Sequence, residues 1–477
     1  MAAATETGVF RKLAGAAEGP YRALGRVSIA GAVLLALIMN GSVAAPYEQL
    51  VHVIFAGLIV LFLPLPIRSR TTGRVVLTSG LLVLFGAAWI VAQAQPGLLP
   101  TALTHPIWQD AARVGLGVTP SVSVNPAQTL VSLPQFVLPP LLFMTVLVLC
   151  QSRRAATGMW IGLSLVGLFV VLLSIVLEVA FPGMGFFSRY AVGFSTFSGV
   201  FVNRNIAASV FAVTAFTLAG TVYLFHVQTR ARHLAQRIQD QSLWTPRSTG
   251  AALACFVALI AIIATQSRAG ALMALPILFL CLAVIQLQPR RAARQGMWIR
   301  AGAVLLAGAG LIVLLGEPSF ARFESYGLAD PRWHAWRGTW AAILDHPVAG
   351  TGFGAFQDTF PIYRDPESRW REAIWVHAHN GFLELALGLG IPAAVALITT
   401  GYAVLLGVAR QGLRRQRSLR PIPILMLGIL GFLTGHTLVD FPLQIPGVAL
   451  YAAAVLGAGS AVCLSPRPAR PQSSSVK

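Results

Sequence analysis

Twelve stretches of this chain are long and apolar enough to cross a bilayer, whose hydrocarbon core of about 30 Å takes roughly 20 residues of helix. They fall at about 27–44, 50–66, 75–95, 134–151, 156–180, 205–226, 249–265, 269–288, 301–316, 380–408, 421–439 and 444–463. In lipid every backbone amide must bond within its own segment or a closed barrel, so runs of this length fold as helices. The chain has 56% hydrophobic and only 11% charged residues, against about 25% charged in an average soluble protein. The first run is not expected to be a cleaved leader, because eleven more follow it and no small-residue cleavage site stands out. The expected fold is therefore all-α: a polytopic integral membrane protein of about 12 transmembrane helices, with a large loop on the outer side containing short amphipathic helices.

The formal charge of +19 arises from 35 basic and 16 acidic residues, and all basic residues but Lys12 and Lys477 are arginine. In a soluble chain such an excess points to nucleic acid, but here its placement gives it another meaning. Of the 35 basic residues, 25 lie in the two tails and the even-numbered gaps between runs, whereas only Glu6, Glu18 and Asp240 are acidic there. By the positive-inside rule that side is the cytoplasm. Both tails are then inside, and the excess serves orientation and attraction to anionic headgroups. The expected division is a cytoplasmic tail (1–26), spans one to nine (27–316) with a periplasmic loop at 96–133, a large periplasmic loop (317–379), spans ten to twelve (380–463) and a cytoplasmic tail (464–477). Nucleic acid is not an expected partner.

The inner loops are short and nearly free of carboxylates, which leaves no Mg²⁺ ligands and no phosphate-cradling loop for nucleotide chemistry in the cytoplasm. Gly350-Thr-Gly352-Phe-Gly354 lies on the other side, follows no strand and reads as a turn. Cys150, Cys255, Cys281 and Cys463 sit within apolar runs and read as small packing residues. The loop at 96–133 carries His105, Trp108 and a turn at Ser123–Pro126.

The loop at 317–379 is richer. Asp330-Pro331 reads as an N-cap followed by proline at the first helical position. Trp333, Trp336, Arg337, Trp340, Ile343 and Leu344 then recur at helical spacing on one face, and the helix is expected to end near Asp345, before Pro347. Two readings stay open for its aromatics: anchoring at headgroup level, or stacking of Trp336 and Trp340 on sugar rings.

Ten basic residues break the inside bias, and three are informative. Arg204 opens span six within Val202-Asn203-Arg204-Asn205, Arg268 sits in the hairpin between spans seven and eight, and Arg337 lies on the loop helix. A guanidinium presents a planar fork that suits phosphate oxygens and keeps its charge; a charge placed at the membrane is functional by default. Headgroup contact is the plainer alternative. At the start of span ten stands His377-Ala378-His379-Asn380. No further ligands accompany the histidines at zinc-site spacing, so no metal is expected. An imidazole titrating near neutrality suits general-base work, with helix capping as the structural alternative.

In these residues the sequence resembles the O-antigen ligase and O-antigen polymerase superfamily of bacterial inner-membrane glycosyltransferases. The likeness is best over Arg332–Pro392, through Trp336-Arg337, His346-Pro347, Gly350-Thr-Gly352-Phe-Gly354, Tyr363-Arg364-Asp365-Pro366 and His377-Ala378-His379-Asn380. It extends upstream to Phe201–Asn205 and Ser267-Arg268. The ligase pattern is met by His379-Asn380 and Gly390 but departed from at Ala393; relatives often carry Glu at the position of Gly388, where this chain instead has Glu384. The resemblance implies transfer or polymerisation of a glycan carried on undecaprenyl pyrophosphate, at the periplasmic face, onto a sugar hydroxyl of lipid A-core or of another lipid-linked glycan. It implies His379, Arg204 and Arg268 as catalytic residues, with Arg337, His377, Asn380, Asn205, Trp336 and Trp340 around the substrate. Inversion and independence of metal and cofactor are expected. The alternative from a different class is a secondary transporter or lipid-linked glycan flippase. Such folds tend to carry internal repeats and mid-membrane charges; no repeat is evident between the halves, and Glu178, His436 and Asp440 lie near outer span ends.

Overall fold

The computed structural model describes residues 2–182, 197–201, 203–228, 245–287, 301–306, 308–310, 332–365, 374–415 and 419–466, with side chains from Gly19 onward. Among them the regular structure is helical: α1 (Ala2–Ile38), α2 (Ala45–Phe62), α3 (Arg70–Ala94), α4 (Ile107–Arg113), α5 (Pro126–Val131), α6 (Leu133–Leu149), α7 (Arg153–Ala180) and α8 (Arg204–Gln228). There follow α9 (Pro246–Ala264), α10 (Arg268–Gln286), α11 (Arg332–Asp345), α12 (Gly381–Leu389), α13 (Ile391–Arg415), α14 (Pro421–Thr437) and α15 (Pro446–Leu464). Among the described residues, ten helical segments are long and apolar enough to cross a membrane, and Ala301–Gly310 and Pro421–Thr437 are shorter apolar helices. The chain is an all-α polytopic membrane protein. The Asp330-Pro331 cap, the end of the ninth run, and Arg322, Arg369, Trp370 and Arg371 lie outside the described residues.

The bundle is built around α15. Every residue of this helix but the half-buried Leu456 is buried, and it packs against α6, α7, α13, α1, α14 and α8. Lipid tails are as apolar as leucine, so close packing rather than water exclusion holds such helices together, and small residues permit it. On α15, a Cβ at Gly457 would press on Val146, and one at Gly459 on Trp160 and Met426. The polar groups in this interior are satisfied: Trp160 Nε1 donates to the Thr217 carbonyl (2.9 Å), and the Ser164 and Thr221 hydroxyls meet at 2.9 Å. At the opposite end from His379, Arg22 and Arg26 donate to the carbonyls of Val148 and Leu149 at the end of α6. All four cysteines are free and at least half-buried.

The tenth apolar run, expected as one helix over 380–408, is two. Gly390 separates α12 from α13 with a φ of +80°, a left-handed conformation open to glycine. A side chain there would collide with the Val348 carbonyl. The reason is a strap, residues 346–354, laid across the corner. Thr351 N–H donates to the Leu387 carbonyl (2.9 Å), Gly352 N–H to that of Gly388 (3.1 Å) and Ile391 N–H to that of Pro347 (2.8 Å). Gly350, Gly352 and Gly354 all take positive φ, so the glycine-rich segment is a turn series, and its glycines sit where backbone or the Ser123, Thr129 and Ser132 side chains approach. From α3, the buried Gln93 amide donates to the carbonyls of both Ala349 (2.6 Å) and Gly388 (2.8 Å). Strap, loop 96–133 and α12 are thereby fixed to one end of the bundle.

α11 ends at Asp345, where its sequence places it. Its packed face, however, is the small one: Ala335, Gly338, Thr339, Ala342 and Ile343 are buried, whereas Trp333 and Trp340 are 47% and 49% exposed. A Cβ on Gly338 would strike the Tyr363 carbonyl, so close approach of α11 to the turns over Phe356–Tyr363 selects small side chains and turns two tryptophans outward.

Candidate active site

Three local structures bring charged side chains to this end of the bundle. The Asn203 side chain accepts from Asn205 N–H (2.8 Å), which starts α8 with Arg204 as its first residue. Ser267 caps α10 by accepting from Gly270 N–H (3.1 Å), which makes Arg268 the first residue there. The Ser267 hydroxyl also donates to Asn205 Oδ1 (2.7 Å), and a Cβ on Gly270 would collide with that of Ala208, so the two helix starts touch. The N-termini of two helices, each opened by a half-buried arginine, therefore meet. That is an arrangement suited to phosphate oxygens.

The third structure is the turn before α12. Asn380 is its N-cap, its side-chain oxygen accepting from Phe382 and Leu383 N–H (both 3.1 Å). Glu384 reaches back from the first turn: its carboxylate accepts from Ala378 N–H (2.8 Å) and faces His377 Nδ1 (2.9 Å). Between them His379 adopts φ +52°, uncommon for a residue with a Cβ. Its carbonyl accepts from Trp336 Nε1 (3.2 Å), and its ring lies edge-on to Trp375 and to Phe441.

Asp440 joins these parts. It is 2% exposed, just beyond α14, and its carboxylate meets His379 Nδ1 (3.2 Å), Arg332 (3.4 Å), the Asn205 side-chain amide and Phe441 N–H (3.0 Å). Burial by itself would raise its pKa, but the hydrogen bond from His379 and the charge of Arg332 outweigh that and hold it at about 2. An ionised carboxylate at Nδ1 takes that nitrogen's proton as a hydrogen bond, which leaves Nε2 of the neutral ring as the acceptor. A His–Asp dyad of this kind abstracts a proton at Nε2. Among the described residues, no three His, Cys, Asp or Glu side chains converge as metal ligands.

Of the residues singled out in the sequence, the structure brings His379, Asn205 and Trp336 to this group, and Arg204 and Arg268 are the first residues of the two helices whose starts meet at Asn205. His377 stands beside it, stacked on the other side of Phe441 (4.4 Å between ring centres). Asn380 is occupied as a cap. Arg337 and Trp340 are exposed on α11, outside the hydrogen-bonded group. Sequence reasoning missed Arg332 and the part played by Asp440. A signal existed for the latter: it is the one acidic side chain after Glu384, placed at the end of an apolar run where a lone charge is costly.

No curated protein matches the chain. The family model described as O-antigen ligase matches residues 253–398. That segment runs from α9 through Arg268, α11, the strap and His377–Asn380 to the start of α13, whereas Arg204, Asn205 and Asp440 lie outside it. Over that segment the chain carries a domain similar to the O-antigen ligase family.

Proposed function

We propose that this protein transfers a glycan from undecaprenyl pyrophosphate to a sugar hydroxyl at the periplasmic face of the bacterial inner membrane, with both termini cytoplasmic. The observation that carries this reading is the His379–Asp440 pair, 3.2 Å apart, beside the joined starts of α8 and α10 that present Arg204 and Arg268. The acceptor hydroxyl oxygen attacks the anomeric carbon as its proton passes to His379 Nε2. The bond from that carbon to the pyrophosphate oxygen breaks, and its electron pair leaves with the pyrophosphate. Negative charge grows on the leaving group, where Arg204 and Arg268 stabilise it electrostatically. A single in-line displacement inverts the anomeric centre and requires neither a metal nor a covalent enzyme intermediate. Asp440 holds the imidazole ring and its tautomer, and Arg332 and Asn205 hold Asp440.

The test is a deletion strain complemented with the wild type or with His379→Ala. The variant is expected to reach the membrane in normal amount and to leave glycan on the lipid carrier. Long polymer accumulating there identifies a ligase, and single repeats identify a polymerase. A normal glycan profile with His379→Ala would contradict the mechanism.

A further inference from the structure

On the far side of Phe441 from Asp440 lies a cavity of about 680 Å³ between α3, α6, α13, α14 and α15, within the ~300–1,000 Å³ range usual for ligand sites. Its depth is apolar, lined by Leu82, Phe143, Leu405, Leu430 and Leu456. Its mouth is different: Glu48, Gln128, Gln135, Gln357, Glu384 and Gln444 are gathered there. No arginine or lysine lines it among the described residues. Glu48 accepts from Gln135 Nε2 (2.6 Å), and Gln444 Oε1 is buried with no hydrogen-bond partner among the described residues. Carboxylates and amides offer acceptors and donors to hydroxyl groups, whereas phosphate finds no guanidinium or ammonium among these residues to bind it. The two sites thus differ in character: Arg332 and the starts of α8 and α10 in one, amides, Glu48 and the His377–Glu384 pair in the other.

Resting on the transferase reading, we infer that this cavity is the acceptor site, and that the acceptor is a glycolipid with an uncharged sugar at its membrane end. The alkyl portion occupies the apolar depth. The sugar hydroxyls take the place left at Gln444 Oε1 and bond Glu48 and Gln135, and Phe441 separates this head from the donor pyrophosphate. A prenyl pyrophosphate fits the cavity poorly, because no arginine or lysine among the described residues lines it to bind the phosphates.

Binding to nanodisc-embedded protein, read by native mass spectrometry without turnover, tests this with three probes: dodecyl maltoside, dodecyl phosphate and farnesyl pyrophosphate. Wild type is expected to prefer dodecyl maltoside over dodecyl phosphate at least tenfold, and to hold dodecyl maltoside and farnesyl pyrophosphate together. Gly401 lines the cavity and a Cβ there meets nothing within 4 Å, so Gly401→Phe is the variant chosen to occupy it. It should lose dodecyl maltoside at least tenfold and keep farnesyl pyrophosphate within twofold. Glu48→Arg, at the half-buried mouth, should reverse the headgroup preference. A wild type that prefers dodecyl phosphate, or a Gly401→Phe protein that loses farnesyl pyrophosphate instead, would overturn the assignment. Either result leaves the transferase reading standing, since that reading is judged on glycan transfer in the His379→Ala strain.

Discussion

Asp440 carries four interactions from four parts of the chain, and its consequences are the most specific at the scale of single residues. Held at about 2 by His379 and Arg332, it stays ionised at neutral pH. Its folded pKa lies below the ordinary value of 3.8, so its stabilising contribution is complete above about pH 4 and is lost as pH falls from there through about 2. Thermal unfolding of the wild type in that window should therefore show a decline that Asp440→Asn lacks. The same variant keeps the shape of the side chain but removes the charge that selects the Nε2-acceptor form of His379. Its turnover should fall by about 10²–10⁴, the usual range for general-base catalysis, with donor affinity changed far less; equal turnover in Asp440→Asn would refute the dyad. Arg204→Lys and Arg268→Lys should each be impaired too, because a point charge does not reproduce the two-pronged fork. Initial rates against donor concentration measure that loss.

At the scale of elements, the site depends on the corner between α12 and α13. Gln93 crosses from α3 to bond two carbonyls of the strap and corner. Gln93→Ala would leave the Ala349 carbonyl without a donor, at about 1–3 kcal/mol for an unsatisfied group, while the Gly388 carbonyl keeps Gly352 N–H; a lowered melting temperature with slower transfer checks it. Asn380→Ala removes an N-cap worth about 1 kcal/mol, whereas Asn380→Ser keeps one. If activity follows the cap, Asn380 acts by shaping the His379 turn, and comparison of the two variants decides this. A second joint binds loop 96–133 to the strap: the rings of His105 and His346 lie 4.4 Å apart. Burial, and then the neighbouring His346, push His105 down to about 4. Both rings are neutral when folded, so the contact contributes fully above about pH 6.5 and is lost as pH falls through about 4. Hydrogen-exchange protection of residues 98–118 should drop across that window in wild type and change less in His105→Phe.

At the scale of the whole molecule, the spans and the arginine asymmetry were legible in the sequence because lipid imposes length and charge rules that act segment by segment. The break at Gly390 was not. It follows from the strap pressing on the corner, a contact between residues some forty positions apart that hydropathy does not record. Which face of α11 packs was not legible for a similar reason: what the helix lies against selects small residues such as Gly338, and size is invisible to a hydrophobic pattern. Of the candidate site, Arg204 and Arg268 stood out as charges misplaced at a membrane and His379 through the His377-Ala378-His379-Asn380 run, whereas the pairing of His379 with Asp440 spans 61 positions and needs the folded chain. The tertiary arrangement joins Arg268 and His379, inside the family-matched segment, to Arg204, Asn205 and Asp440 outside it. The most direct measurement is single-turnover transfer by purified protein in nanodiscs, wild type against His379→Ala, with melting temperature and prenyl pyrophosphate binding determined on the same samples. The dyad mechanism predicts a fall in transfer of about a hundredfold or more with folding and binding retained; transfer within a few-fold of wild type would contradict it.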